Sequence, residues 1–258
     1  MHETASVVAR FDVAQIAIYV FWGFFAGLIW YLRREDHREG FPLVGEYPGQ
    51  VTMPVPPIPP AKKFLLGDGH VVLAPREEKP EVFAAKQVLP WLGAPFEPTG
   101  NPMLDGVGPA AYAQRHDEPE VAYDDGLPKI VPLRDAKEFF LDAADQDPRG
   151  YDVLGADDVV AGKIVDVWVD RSEYIIRHLE VETTAEFGAR RALLPVQYAK
   201  FSRKKRQVTV KAVLARHFAE TPALKDPDTI SPREEDRIMG YYAGGYMYAT
   251  PKRAASLI

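Results

Sequence analysis

The sequence predicts one N-terminal transmembrane α-helix followed by a mainly-β cytoplasmic domain that contains a small antiparallel barrel. Three observations predict it. An uncharged run of about 20 residues lies near the start. Arginines gather on one side of that run, and short alternating segments separated by turn signals occupy the second half of the chain.

The apolar run is Val13–Leu32, VAQIAIYVFWGFFAGLIWYL. At 1.5 Å rise per residue, a helix of about 20 residues covers the ~30 Å hydrocarbon core of a bilayer. Gln15 is its only strongly polar side chain, and it lies near one end. Tyr19 and Trp22 sit towards that end, with Trp30 and Tyr31 at the other, where amphipathic rings favour the membrane interface. Gly23 and Gly27 either let another helix approach closely or are simply tolerated in lipid. A cleaved signal peptide needs a basic start, a shorter apolar stretch and a small-residue cleavage site. This run is longer and ends in Arg33, Arg34, Glu35 and Asp36 without an A-x-A pattern, so it reads as an anchor. Arg33, Arg34 and Arg38 follow it, against Arg10 before it. The positive-inside rule then puts residues 1–11 outside, the span at 12–32, and the bulk of the chain in the cytoplasm.

Beyond the anchor, Pro42, Pro48, Pro54, Pro56, Pro57, Pro59 and Pro60 predict an extended connector over 33–63, because proline fixes φ and removes a donor. A cytoplasmic domain should fill 64–258. Phe64–Leu66 and Val71–Leu73 flank Gly67-Asp68-Gly69-His70, which reads as a small hairpin. Scattered proline and glycine make 75–150 irregular. The barrel core is expected at about 150–215. There Val159–Lys163 reads as a tight turn, and strands are predicted over Lys163–Asp170, Ile175–Glu182, Arg190–Pro195 and Gln207–Val213. Ser231-Pro232-Arg233-Glu234 carries an N-cap serine, a proline at the first helical position and a glutamate three residues on. A helix should start there and stop before Gly244-Gly245.

The formal charge of -6 argues against nucleic acid as a partner. The absence of cysteine excludes disulfides, thiolate nucleophiles and zinc–thiolate sites. No phosphate loop, G-x-S-x-G elbow or H-E-x-x-H pair is present, and the six histidines are never at metal-ligand spacing. The basic run Arg203-Lys204-Lys205-Arg206 reads as a solvated hairpin turn, with anionic lipid as the alternative contact. Asp117, Glu118, Glu120, Asp124 and Asp125 form an acidic run before Lys129. Glu173 and Arg177 share parity with Ile175, Leu179 and Val181, which places two charges on an otherwise apolar strand face. Extended, they would lie roughly 13 Å apart and would each need a partner elsewhere.

Four blocks carry a resemblance: FDVAQIAIYVFWGFFAGLIWYLRREDHREGFPL, PTGNPMLDGVGPAAY at Pro98–Tyr112, AGKIVDVWVDRSEYIIRHLEVE at Ala161–Glu182, and EEDRIMGYYAGGYMYATPKR at Glu234–Arg253. In order and spacing they resemble the H subunit of the purple-bacterial photosynthetic reaction centre. The third block also resembles the small barrel of PRC-barrel proteins.

That resemblance implies a subunit without an active site or cofactor of its own, seated in the bacterial inner (intracytoplasmic photosynthetic) membrane. It would cap the L and M subunits, which carry bacteriochlorophyll, bacteriopheophytin, quinones, carotenoid and non-haem iron. A cytochrome subunit, a light-harvesting antenna and membrane lipids are further candidate partners. The resemblance also implies proton transfer to the secondary quinone through Glu173, at the family's WVD-x-x-E position, and through Arg177 beside it. A partly buried carboxylate with a raised pKa would suit that relay. Some members carry histidines where protons are taken up; here the stretch reads Asp124-Asp125-Gly126-Leu127-Pro128-Lys129-Ile130, so Asp124 or Asp125 would have to accept protons instead. A membrane-tethered PRC-barrel adaptor for an unrelated partner is the competing reading.

Overall fold

The computed structural model describes residues 12–45, 50–76, 82–91, 93–142 and 144–255, so the expected periplasmic segment 1–11 and Pro48 of the connector lie outside the described residues. The chain divides into two compact units, one of residues 1–81 with 87–95 and one of residues 82–86 with 96–258.

In the first unit, helix α1 spans Val13–Asp36. The Asp12 carboxylate caps it by accepting from the Ala14 N–H at 3.0 Å, and Arg33 and Arg34 occupy its last turn, where cations suit the helix dipole. None of its described residues is buried, so its phenylalanine, tryptophan and isoleucine side chains face outwards all round. A helix this long, with this hydropathy and without a buried face, fits a lipid environment. Its exit is stitched down by Glu35, which pairs with Arg38 at 2.8 Å and Lys62 at 2.7 Å, while His37 Nδ1 meets the Pro56 carbonyl at 2.8 Å. Leu43–Val44 (β1) pairs with Val51–Thr52 (β2), and Lys62–Leu65 (β3) with Val71–Ala74 (β4). The β3–β4 turn uses Gly69 at φ +86°, a conformation that glycine adopts without penalty.

The second unit holds the core. After the short pair Ala85–Gln87 (β5) and Phe96–Pro98 (β6), it builds a seven-stranded curled sheet from Ile130–Pro132 (β7), Asp152–Leu154 (β8), Val160–Asp170 (β9), Ile175–Thr183 (β10), Arg191–Pro195 (β11), Ala199–Ser202 (β12) and Gln207–Val210 (β13). The order is β11-β10-β9-β8-β13-β12, with β7 on the far end of β9. Val153, Val167, Leu179, Val181, Leu194, Val208 and Val210 are wholly buried within it. Helix α2, Pro232–Tyr248, adds Ile238, Tyr241 and Tyr242 to the same core, and a short helix α3 follows at Pro251–Ala255.

Several boundaries differ from the sequence expectation: α1 runs on to Asp36 beyond the expected end at 32, and β13 stops at Val210 and not Val213. Val160–Lys163 is strand rather than turn; the chain reverses at Gly155–Asp158 instead, closed by the Gly155 N–H on the Val159 carbonyl. Gly162 marks a close strand approach, since a Cβ there would run into the Glu182 carbonyl. Likewise α2 does not stop before Gly244-Gly245. A Cβ on Gly240 or Gly244 would come within 2.6 Å of Ala110, and one on Gly245 within 2.5 Å of the Ala212 carbonyl. These glycines let the helix lie against backbone. The capping box at its start is as the sequence predicts: Ser231 Oγ accepts from the Glu234 N–H, and Glu234 accepts from the Ser231 N–H at 2.9 Å.

Candidate functional site

The β9–β10 turn, Arg171–Tyr174, organises the site. Asp170 ends β9 with its side chain fully buried. One carboxylate oxygen accepts the N–H groups of Ser172 and Glu173, each at 3.0 Å, which shapes the turn as an Asx turn does. Tyr174 closes it in the left-handed region at φ +58°. The other oxygen of Asp170 meets Arg177 Nη2 at 3.2 Å and Lys129 Nζ at 3.6 Å. Lys129 is brought there by strand register, because β7 pairs Ile130 with Asp170.

Glu173 sits in this turn and not on a strand face. Its carboxylate lies 3.8 Å from Lys129 Nζ and 3.5 Å from Arg177 Nη2. The separation of roughly 13 Å expected for an extended chain does not hold. The turn shortens the path, and a β-bulge between Ile176 and His178 leaves Arg177 as the extra residue, so it swings back towards the turn. The bulge also breaks the parity that linked Ile175 with Leu179: Ile175 is 45% exposed and Leu179 is wholly buried. Glu173 itself is about half exposed in this chain, more open than the partly buried carboxylate expected.

Lys129 extends the network to Glu120 at 3.9 Å, and Arg115 carries it from Glu120 (3.7 Å) to Asp236 on α2 (3.4 Å). Between them lies a cleft of about 10 Å³, the space of about one water molecule, lined by Glu120, Lys129, Ile130, Ile230, Pro232 and Glu235. Burial pushes the Glu235 carboxyl up from its ordinary value, with the Arg177 charge opposing. Glu235 also lies 4.0 Å from Nε2 of His178, whose buried ring is pushed down to about 3 by desolvation.

Asp124 and Asp125 lie on the other side of the turn, in a cleft of about 430 Å³ with Glu138, Phe139, Arg171 and Tyr174. Arg171 joins the two regions. Its guanidinium pairs with Asp125 and, at 3.0 Å, with Glu138, while its N–H bonds the Lys129 carbonyl at 2.8 Å. The Arg171 bond holds the Asp125 carboxyl below the usual range. Asp124 accepts the Asp125 N–H at 3.0 Å and faces the cleft. The acidic run does not act as one patch: Asp117 turns away to Lys225, Arg233 and Ser231 near the start of α2.

The structure thus brings Glu173 and Arg177 together and adds Asp170, Lys129, Glu120 and Glu235, which sequence reasoning missed as site residues. Asp170 had a legible signal: an aspartate ending a strand two and three residues before two turn N–H groups. Lys129 and Glu235 had none, since their placement depends on contacts distant in sequence. Among the described residues no group of three or more histidine, aspartate or glutamate side chains is placed to hold a metal ion.

Comparison with known families agrees with the architecture. Residues 5–135 match the family described as the photosynthetic reaction centre H-chain N-terminal region, and residues 142–216 match the PRC-barrel domain. The first match begins before α1 and runs past β7; the second covers the sheet from β8 to β13. With an apolar anchor helix, a PRC-type barrel and both matches in one chain, the protein belongs to the photosynthetic reaction centre H-chain family and is a membrane-anchored subunit of such a reaction centre.

Proposed function

We propose that this subunit caps the L and M subunits on the cytoplasmic side, stabilises the complex and delivers protons to the secondary quinone held by those chains. Bacteriochlorophyll, bacteriopheophytin, quinones, carotenoid and non-haem iron then all reside on partner chains, and the N-terminus is periplasmic. The observation that carries the reading is the network at one end of the barrel, in which Glu173 stands half exposed between Lys129 and Arg177 over the buried Asp170.

Such an arrangement suits proton relay. Two cations and a fixed anion keep Glu173 in a defined place, while its open side can face a partner. A carboxylate so held exchanges protons with water or a neighbouring group without a large rearrangement. Asp124 is the better uptake group of the adjacent pair, because Asp125 is tied to Arg171 and held as an anion. Glu235, with its raised pKa, offers a second proton-holding carboxyl across the small cleft.

The test is flash-induced transfer of the second electron to the secondary quinone in reaction centres carrying Glu173→Gln. The expected outcome is slowing by about tenfold or more at neutral pH, with the first electron unaffected. Unchanged second-electron kinetics would remove Glu173 from the route.

A further inference from the structure

One charged feature of the barrel is not used by the proton network. The β12–β13 turn presents Arg203, Lys204 and Lys205, with Lys200 on β12, all exposed. Among the described residues none of these four makes an ion pair with a carboxylate, although Lys129, Arg134, Arg171 and Arg177 are all paired. Arg206, the last residue of the turn, behaves differently. Its guanidinium stacks over the Tyr151 ring at 5.2 Å, and its carbonyl accepts the Asp152 N–H at 3.2 Å, so the base of the turn is fastened to the barrel. Beside the free cations Phe201 is 43% exposed on the edge strand. Aromatic and basic side chains together on a fixed projection match the chemistry of an anionic bilayer surface.

Topology gives this turn a direction. Strand β8 is antiparallel to β9, and β13 is parallel to β8. The turn that leads into β13 therefore points in the direction in which β9 runs towards the Arg171–Tyr174 turn, and it starts level with Lys163 of β9, through the Gln207–Asp152 and Asp152–Lys163 pairs. We infer that the Lys200–Lys205 hairpin rests on the anionic lipid headgroups of the membrane in which the chain's own helix is anchored. The inference rests on the proposed function in one respect: the site end of the barrel faces the membrane side. Each lysine or arginine near an anionic surface strengthens the contact about fivefold, and the effect fades with salt.

This chain has no cysteine, so an introduced thiol is its one labelling site, and unsubstituted reaction centres taken through the same labelling give the background from partner chains. Assembled reaction centres carrying Ser202→Cys with a fluorophore would be placed in nanodiscs containing headgroup-spin-labelled lipid, with either phosphatidylcholine alone or added phosphatidylglycerol. Quenching is expected to be at least about threefold stronger with the anionic lipid and to fall between about 0.05 and 0.5 M salt. Adding Lys204→Gln and Lys205→Gln should abolish the difference. Equal quenching in both nanodiscs, or none, overturns the inference. Shielding of the label from iodide without lipid quenching also overturns it, in favour of an acidic protein partner. A second label at Ser172→Cys separates this from the proposed function: if partner chains shield it from iodide, the site end faces them whatever the hairpin does.

Discussion

Two charged networks lie on the same pair of strands, and they differ in how they are closed. The first joins Asp166 of β9 to Glu180 directly opposite on β10. Both are buried, and two carboxylates facing each other would repel. Arg134 bridges them at 3.2 and 2.5 Å, Arg191 adds a bond to Glu180 at 2.7 Å, and the Trp168 indole N–H a third at 3.3 Å. Asp166 also takes the Val167 and Arg134 N–H groups. The second network, around Asp170, is as well bonded at its base but leaves Glu173 open. A closed network braces the barrel; an open one has a group free to exchange protons.

This contrast can be broken at several points. Arg134→Met leaves the buried Asp166 without a cation and Glu180 with Arg191 alone, and the expected loss is about 3–5 kcal/mol in urea unfolding of the detergent-solubilised chain. Restoring stability by adding Asp166→Asn and Glu180→Gln would confirm that the cation serves only to neutralise. A loss below about 1 kcal/mol would mean that the network is not a brace.

His178 lies between the two networks, and its buried Nδ1 has no partner among the described residues. Its pKa is about 3 folded against 6.5 unfolded. The unfolded chain therefore binds the proton first, so stability is full above pH 6.5 and falls as pH drops towards 3. At about 1.4 kcal/mol per unit, the loss is of order 5 kcal/mol. Acid titration of the unfolding midpoint checks this, and His178→Gln should flatten that slope.

Glu235 has the opposite sign. Its folded pKa is raised, so the folded chain holds the proton more tightly, and stability declines as pH rises from 4.5 through the folded value. Glu235→Gln should stabilise the chain at pH 8 and change nothing at pH 4, as read from thermal unfolding at the two pH values.

Much of the fold was legible in the residues themselves. The anchor helix, the alternating run of β9, the strand at β10 and the capping box of α2 all follow from local pattern. The site was legible only in part. Glu173 and Arg177 stood out as charges among apolar residues, but the bulge at Arg177 shifts parity by one residue, and no local signal in HLEVE announces it. Asp170 looked like a strand end until Lys129, 41 residues earlier, was brought beside it by β7 pairing. The glycines of α2 read as a stop because their close partners, Ala110 and Ala212, are remote in sequence.

The distinction between brace and relay is tested most directly by flash-induced proton uptake in assembled reaction centres. Two variants are compared, Glu173→Gln and the double Asp166→Asn, Glu180→Gln. Uptake coupled to the second electron should slow by about tenfold or more in the first and stay at the natural rate in the second. Equal slowing in both, or slowing only in the double variant, would contradict the assignment of proton transfer to the open network at the β9–β10 turn.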